Sequence, residues 1–289
     1  MKRKRTKRSF FLLVIAVCFA YVICTKLGLP PSVTISSSDR LQVHFVDVGQ
    51  ADCTLIQLPN GENMLIDAGN NENGSQVVDY LKRQGIGRID YLVGTHPHAD
   101  HIGGLDDVIL QLDIGEIYMP KVQTNTKTFR DVLEAVQQKG LKIKTAKAGV
   151  EILNRDNLSI EILAPNADSY ENLNNYSAVI RLVYGDNAFL FTGDAEALSE
   201  SEITREVEAE VLKVGHHGSI SSASEEFLDR VSPQYAYIPC GKDNSYGHPH
   251  RETLEKLEER NIKIYRADED GTVVFDSDGT KVEVSGTWK

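Results

Sequence analysis

From residue 41 onward, short apolar runs alternate with amphipathic stretches. The runs predict strands at 41–46, 53–58, 63–66, 91–93, 116–119, 159–163, 178–184, 188–191, 211–214, 235–239, 262–265, 272–275 and 281–284, where apolar residues repeat with the short period of a pleat. The amphipathic stretches predict helices at 76–84, 128–139, 197–206, 224–231 and 253–259. Pro59-Asn60-Gly61-Glu62 and Tyr184-Gly185-Asp186-Asn187 have the composition of hairpin turns. Strands that first pair as hairpins and then alternate with helices predict one α/β domain over 41–289, with two sheets between helical layers.

One stretch carries candidate chemistry. Gly94-Thr95-His96-Pro97-His98-Ala99-Asp100-His101-Ile102-Gly103-Gly104 places three of the chain's eight histidines and an aspartate within six positions. It follows the apolar run Tyr91-Leu92-Val93, so His96 and His98 leave the end of a strand. Residues two apart in extended chain point to one side, and their imidazoles can converge on one ion. Asp100 and His101 can face a second point nearby, where the chain turns. Imidazole and carboxylate ligands without thiolate suit zinc, manganese or iron.

The pattern His96-x-His98-x-Asp100-His101 resembles the signature of the metallo-β-lactamase superfamily, αββα sandwiches that hold two metals. The segments His44 to Gly69, Phe189 to Glu196, Val211 to Ser222 and the Tyr-Gly-His-Pro-His run at 246–250 are similar, in the same order, to the extracytoplasmic hydrolase domain of the ComEC branch of DNA-uptake proteins. The resemblance implies that Asp67 braces the histidine loop from outside the metal shell and that Asp194 bridges two divalent cations, zinc or manganese. One imidazole of His216-His217 then completes the second site with Asp100, His101 and Asp194. Consecutive side chains at a strand end diverge, so His216 is expected to ligate and His217 to serve substrate or proton transfer. His248 is the rival for that last ligand, and His250 is expected in solvent.

The chain departs from many superfamily members in one respect: no histidine lies between Ile102 and Gly193. Site one therefore keeps His96 and His98, with Asn174, Asn175 or Ser177 as neutral lining, which favours weak occupancy or manganese. The expected reaction is hydrolysis by hydroxide formed between the two cations, with His217 or His248 donating a proton to the leaving oxygen. A phosphodiester, in a small ester or in nucleic acid, is the leading substrate. A lactonase or β-lactamase type of hydrolase is the alternative, and a metal-binding surface protein without turnover is the third reading.

Charge alters this picture in two ways. The first 26 residues hold seven of the 31 Lys and Arg and no acid, leaving 24 bases against 42 acids in the rest, a balance of −18. Phosphate contacts by Lys and Arg supply most non-specific DNA affinity, so only Lys213, Lys242 and Arg251 stand out near the motifs, and weak DNA affinity with a shallow salt slope is expected. Of the four cysteines, Cys18 and Cys24 fall in the leader, while Cys53 and Cys240 can be one disulfide or two buried thiols. The basic start is followed by fifteen uncharged residues, Phe10 to Cys24, the pattern of an export signal with no good cleavage site. Residues 1–26 are expected to anchor the protein in the membrane and 27–40 to link it to an extracytoplasmic body. A reporter that works only outside the membrane, fused after residue 40, should be active; an active cytosolic reporter at that point refutes export.

Overall fold

A computed structural model describes residues 40–288, so the expectations for the leader and most of the linker lie outside the described residues. Pleat alternation builds the first sheet. Along Leu41–Phe45 (β1), Leu41, Val43 and Phe45 enter one core while Gln42 and His44 face the opposite side. β1 pairs antiparallel with Thr54–Gln57 (β2), and β2 with Asn63–Ile66 (β3) through the expected turn. Arg88–Val93 (β4), Asp113–Met119 (β5) and Ile143–Thr145 (β6) then add in parallel. The second sheet starts with four antiparallel strands, Val150–Arg155 (β7), Leu158–Ala164 (β8), Val179–Tyr184 (β9) and Asn187–Phe191 (β10). It continues in parallel through Val211–Lys213 (β11), Tyr235–Ile238 (β12) and Lys263–Arg266 (β13). Thr272–Ser277 (β14) returns to the first sheet beside β1, and Val282–Trp288 (β15) forms its edge.

Three apolar layers hold these sheets. The inner faces meet around Phe45, which stacks on Tyr237 at 4.5 Å and touches Phe191 and Phe275. On the outside of the first sheet, Gly74–Arg83 (α1), Ala99–Ile102 (α2), Leu105–Gln111 (α3) and Lys127–Gln138 (α4) bury a second cluster that includes Leu81, Val108 and Val132. Ala197–Glu202 (α5), Glu225–Val231 (α6) and Arg251–Glu259 (α7) lie on the second sheet, with Phe227, Leu228 and Leu257 in a third cluster, and Ala267–Asp270 (α8) leads into β14. The result is the expected αββα sandwich. Among the described residues no helix is long and apolar enough to cross a membrane.

The differences from the sequence reading have physical causes. β6 and β7 went unpredicted because each is the edge strand of its sheet and carries charged residues, such as Lys144 and Glu151, where a central strand would be apolar. Ala99–Ile102, where the chain was expected only to turn, and Leu105–Gln111, where no helix was expected, form α2 and α3. The helix expected at 197–206 stops at Glu202. Cys53 and Cys240 are separate, buried, free thiols.

His44 lies far from the histidine-rich loop, pairing through Nδ1 with the Tyr80 hydroxyl at 2.8 Å. Burial pushes its imidazole down to about 4, against the pull of the Asp276 carboxylate. The unfolded chain takes up that proton near pH 6.5, so the unfolded state binds more protons between about 6.5 and 4. Stability should therefore fall as pH drops through this window, by about 3 kcal/mol from His44 alone. Denaturant titrations of the wild type and His44→Gln between pH 4 and 7 measure it. An identical pH profile in the variant would exclude His44 as the source.

Candidate metal centre

The site forms where strand ends of both sheets meet. Asp67 follows β3 with φ of 59°, and this left-handed turn aims its carboxylate across β4. There Oδ1 accepts from the Thr95 amide at 2.8 Å and Oδ2 from the Thr95 hydroxyl at 2.6 Å. The same Oδ2 holds His101 Nδ1 at 2.8 Å. His98 is the N-cap of α2, and that short helix carries Asp100 and His101. Gly103 and Gly104 let α2 lie against the Asp67 loop, since added Cβ atoms would come within 2.3 Å of the Asn71 nitrogen and 2.4 Å of the Ala68 oxygen. From the second sheet, Asp194 follows β10, and its amide donates to Ser177 Oγ at 3.0 Å.

His216 and His217 follow β11 in a turn where both are left-handed, with φ of 49° and 53°. This geometry corrects the expectation for the pair. Side chains of extended residues would diverge with His216 leading inward, but the left-handed turn buries His217 and leaves His216 partly exposed on the cavity wall. His217 Nε2 lies 3.2 Å from Asp100 Oδ2 and 3.7 Å from Asp194 Oδ2, and its Nδ1 bonds the Pro239 carbonyl at 2.8 Å. His216 instead pairs with Ser221 Oγ at 3.0 Å and reaches Asp194 only at 3.9 Å.

His101 Nε2 stands 3.2 Å from Asp194 Oδ1, both atoms are buried, and neither makes a hydrogen bond. Buried polar atoms left without partners are costly; an imidazole nitrogen and a carboxylate oxygen facing one point suit a cation between them. His101, Asp194 and His217 meet at that point, and Asp100 adjoins it through His217, so the donor set fits a divalent metal. The charge pattern agrees. Burial pulls His101 down, but the carboxylates of Asp194, Asp52 and Asp67 outweigh it and hold the imidazole above its usual range. Burial pushes Asp194 up, yet His101 and His217 keep it ionised, well below the normal carboxylate range. His96 and His98 meet a short distance away, with His96 Nε2 3.0 Å from His98 Nδ1 and 3.9 Å from Asp194 Oδ2.

The rest of the expected set is distributed around this point. Ser177 Oγ contacts His96 Nδ1 at 3.3 Å, on the side of the ring away from Asp194, and so braces that imidazole. Asn174 contacts His216 at 3.5 Å, whereas Asn175 turns away and accepts from the Glu196 amide. His248 lines the cavity with Asp100 and Asp194, held at Nδ1 by Gln50, and stands outside the buried cluster of His101, Asp194 and His217. His250 Nδ1 accepts from the Ile220 amide and so braces the loop rather than standing free in solvent.

Residues 46–242 match the family model described as the Metallo-beta-lactamase superfamily. The chain belongs to this superfamily. It is 31% identical over 258 residues to ComE operon protein 3 of Bacillus subtilis, covering 82% of this chain and 33% of that protein. It is 30% identical over 250 residues to Recombination protein 2 of Haemophilus influenzae, covering 84% of this chain and 29% of that one. The chain thus spans about a third of the length of these curated relatives. Among solved structures, the metallo-beta-lactamase fold protein YhfI of Bacillus subtilis superposes with a TM-score of 0.58 at 14% identity, over 83% of this chain and 100% of that one. CmlA, a diiron beta-hydroxylase from Streptomyces venezuelae, does so at 0.54 and 13%, over 81% and 53%; at such identities the likeness is one of fold. With its buried Asp/His cluster, the protein is a metal-dependent hydrolase of the metallo-beta-lactamase superfamily.

Within this superfamily fold, the sequence reading passed over one group at the centre. Asp52, buried beside the cluster, lies within 4.8 Å of the ligand atoms of His101, Asp194 and His217. It approaches both imidazoles from their Nδ1 sides, at 3.7 and 3.4 Å, while their Nε2 atoms face Asp194. Asp52 therefore stands behind the histidines and braces them. Its own charge is met by Lys213, whose buried ammonium bonds Asp52 and donates to the Gly193 carbonyl at 2.7 Å. Lys213 is thereby excluded as a DNA phosphate contact, leaving Lys242 and the exposed Arg251, which pairs with Glu255 at the surface, of the three expected cations. A lysine inside the apolar strand Val211-Leu212-Lys213-Val214 was the legible sign of a buried acid elsewhere. Lys213→Met should destabilise the fold by about 3–5 kcal/mol, because it strands a buried carboxylate. Adding Asp52→Leu should recover much of that loss in denaturant titration, and equal losses in both variants would refute the pairing.

Proposed function

We propose that this protein is an extracytoplasmic phosphodiesterase that works with two divalent cations, zinc or manganese. The observation that carries the reading is the buried His101–Asp194 contact without a hydrogen bond, with His217 closing on the same point and Asp100 beside His217. Asp100, His101, Asp194 and His217 would hold one cation; His96, His98 and a shared Asp194 would hold the other. When bound, such cations supply Lewis acidity and a water acidic enough to act as nucleophile near neutral pH. The similarity to a recombination protein and to Competence protein ComA of Neisseria gonorrhoeae favours a phosphodiester as substrate, and the basic, apolar leader supports export and attachment to the membrane.

The chain's own groups have distinct tasks. Asp67 fixes the tautomer of His101, since its carboxylate holds Nδ1 and leaves Nε2 for the centre. The Pro239 carbonyl does the same for His217. Ser177 sets the ring of His96. His216, Asn174 and His248 line a cavity of about 320 Å³ where substrate would sit. Burial, with neighbouring His217 and His216, pushes His248 down to about 4. It is thus neutral at physiological pH and acts as a hydrogen-bond donor to the leaving oxygen rather than as the protonated acid expected from sequence. His217, turned into the centre, is not free for that task either.

Asp194→Asn is the decisive variant. It should lower bound metal, counted by elemental analysis, and reduce hydrolysis of a bis-aryl phosphodiester to background while circular dichroism stays that of the wild type. Chelator should do the same to the wild type, and zinc or manganese should restore it. Full metal content and full turnover in Asp194→Asn would overturn the binuclear reading, and turnover of lactones or a cephalosporin in place of the phosphodiester would overturn the substrate.

A further inference from the structure

The cavity over the metal centre has an aromatic rim that the proposed hydrolysis does not use. Tyr246 lines it yet is 68% exposed, one of six large hydrophobic side chains left in solvent among the described residues. Its ring lies nearly parallel to that of His248, at 5.7 Å and 20°. His248 is in turn nearly parallel to His217, at 6.2 Å and 23°. Three flat rings therefore rise in a stack from the buried centre to the surface, and the uppermost has an open face.

This rim is held in place. Asn244 Oδ1 accepts from the amides of Tyr246 at 3.2 Å and His248 at 3.0 Å, and its Nδ2 donates to the carbonyls of Gly241 and His248 at 2.9 and 2.6 Å. Gln50 anchors the base of the loop by accepting from the Gly241 amide at 2.8 Å. His250 and His216 pack edge-on against His248, at 4.8 and 5.5 Å. A tyrosine exposed on so constrained a loop presents an ordered apolar face, and ordering is the main cost that a stacking contact otherwise has to meet.

We infer that Tyr246 is a stacking subsite for a nucleobase attached to the phosphodiester held at the metal centre. The inference rests on the phosphodiester reading above and narrows its substrate class to nucleotide esters. The charge distribution points the same way. A body with 42 acids, whose Lys213 is buried and whose cavity is lined by no Lys or Arg among the described residues, has little cationic surface at this site to grip a phosphate backbone. A base, by contrast, stacks on an aromatic ring whatever the net charge, and every base offers a flat face. Tyr246 is a specificity residue here: it touches the substrate's base and leaves the reacting phosphorus to the groups beneath.

The test uses the manganese-loaded full chain, with thymidylyl-(3′→5′)-thymidine and the same dinucleotide lacking both bases as substrates. The wild type should show a KM roughly tenfold lower for the base-bearing dinucleotide. Tyr246→Ala should raise that KM by the same factor, leave kcat unchanged, and leave the base-free substrate unaffected; Tyr246→Phe should keep the preference. An equal KM for the two dinucleotides in the wild type, or an undiminished preference in Tyr246→Ala, overturns the stacking subsite and leaves the phosphodiesterase reading standing. Hydrolysis of neither substrate by the metal-loaded wild type overturns both.

Discussion

Three carboxylates, Asp52, Asp67 and Asp194, are buried within a few ångströms of one another at the edge of the sandwich, and the site depends on how each is neutralised. An uncompensated buried charge is among the most destabilising features a fold can hold. Asp67 is answered by the Thr95 amide and hydroxyl and by His101. Asp52 is answered by the ammonium of Lys213. Asp194 has only imidazoles beside it, and its Oδ1 has no hydrogen bond. Asp67 is thus completed by the protein, whereas Asp52 Oδ1 and Asp194 Oδ1 are both left without a hydrogen bond; of the two, Asp194 has no ammonium beside it and is the one placed to attract a cation.

The backbone carries the complementary strain. Asp67, Gly193, His216 and His217 all adopt left-handed conformations at the strand ends that form the centre. Non-glycine residues there cost about 1–2 kcal/mol each, and such residues persist only where the surroundings over-determine them. Here the surroundings are two sheets locked through their inner faces, with Phe45 stacked on Tyr237. The first sheet supplies the segment from His96 to His101 and the second supplies Asp194 and His217. The Ala178 amide bonds the Thr95 carbonyl across the junction, at 2.9 Å. Any slip between the sheets would separate the two halves of the metal centre.

Much of this was legible in one dimension. Short continuous apolar runs marked the central strands, because a strand buried on both sides must be apolar throughout. The spacing of His96, His98, Asp100 and His101 declared a metal loop, because ligands of one ion must lie close in space and a strand-to-helix turn puts near neighbours in sequence there. The edge strands β6 and β7 escaped, since exposure lets charged residues occupy them. Asp52 escaped because its partner Lys213 is 161 positions away in sequence: a lysine inside an apolar strand announces a buried acid, but nothing local says which one.

Sequence alone determined the fold class, the strand ends that carry ligands and the residue types at the centre, all of which follow from local periodicity and local spacing. Only the tertiary structure decided which histidine of the pair at 216–217 turns inward. That choice depends on two left-handed residues whose strain is met by contacts from β12 and the Pro239 carbonyl. It likewise decided that Lys213 faces a buried acid instead of a phosphate, that His248 lines the cavity outside the buried cluster, and that Tyr246 stands over the site. Each of these is a matter of direction. The direction of a side chain at a turn is set by what the rest of the fold packs against it.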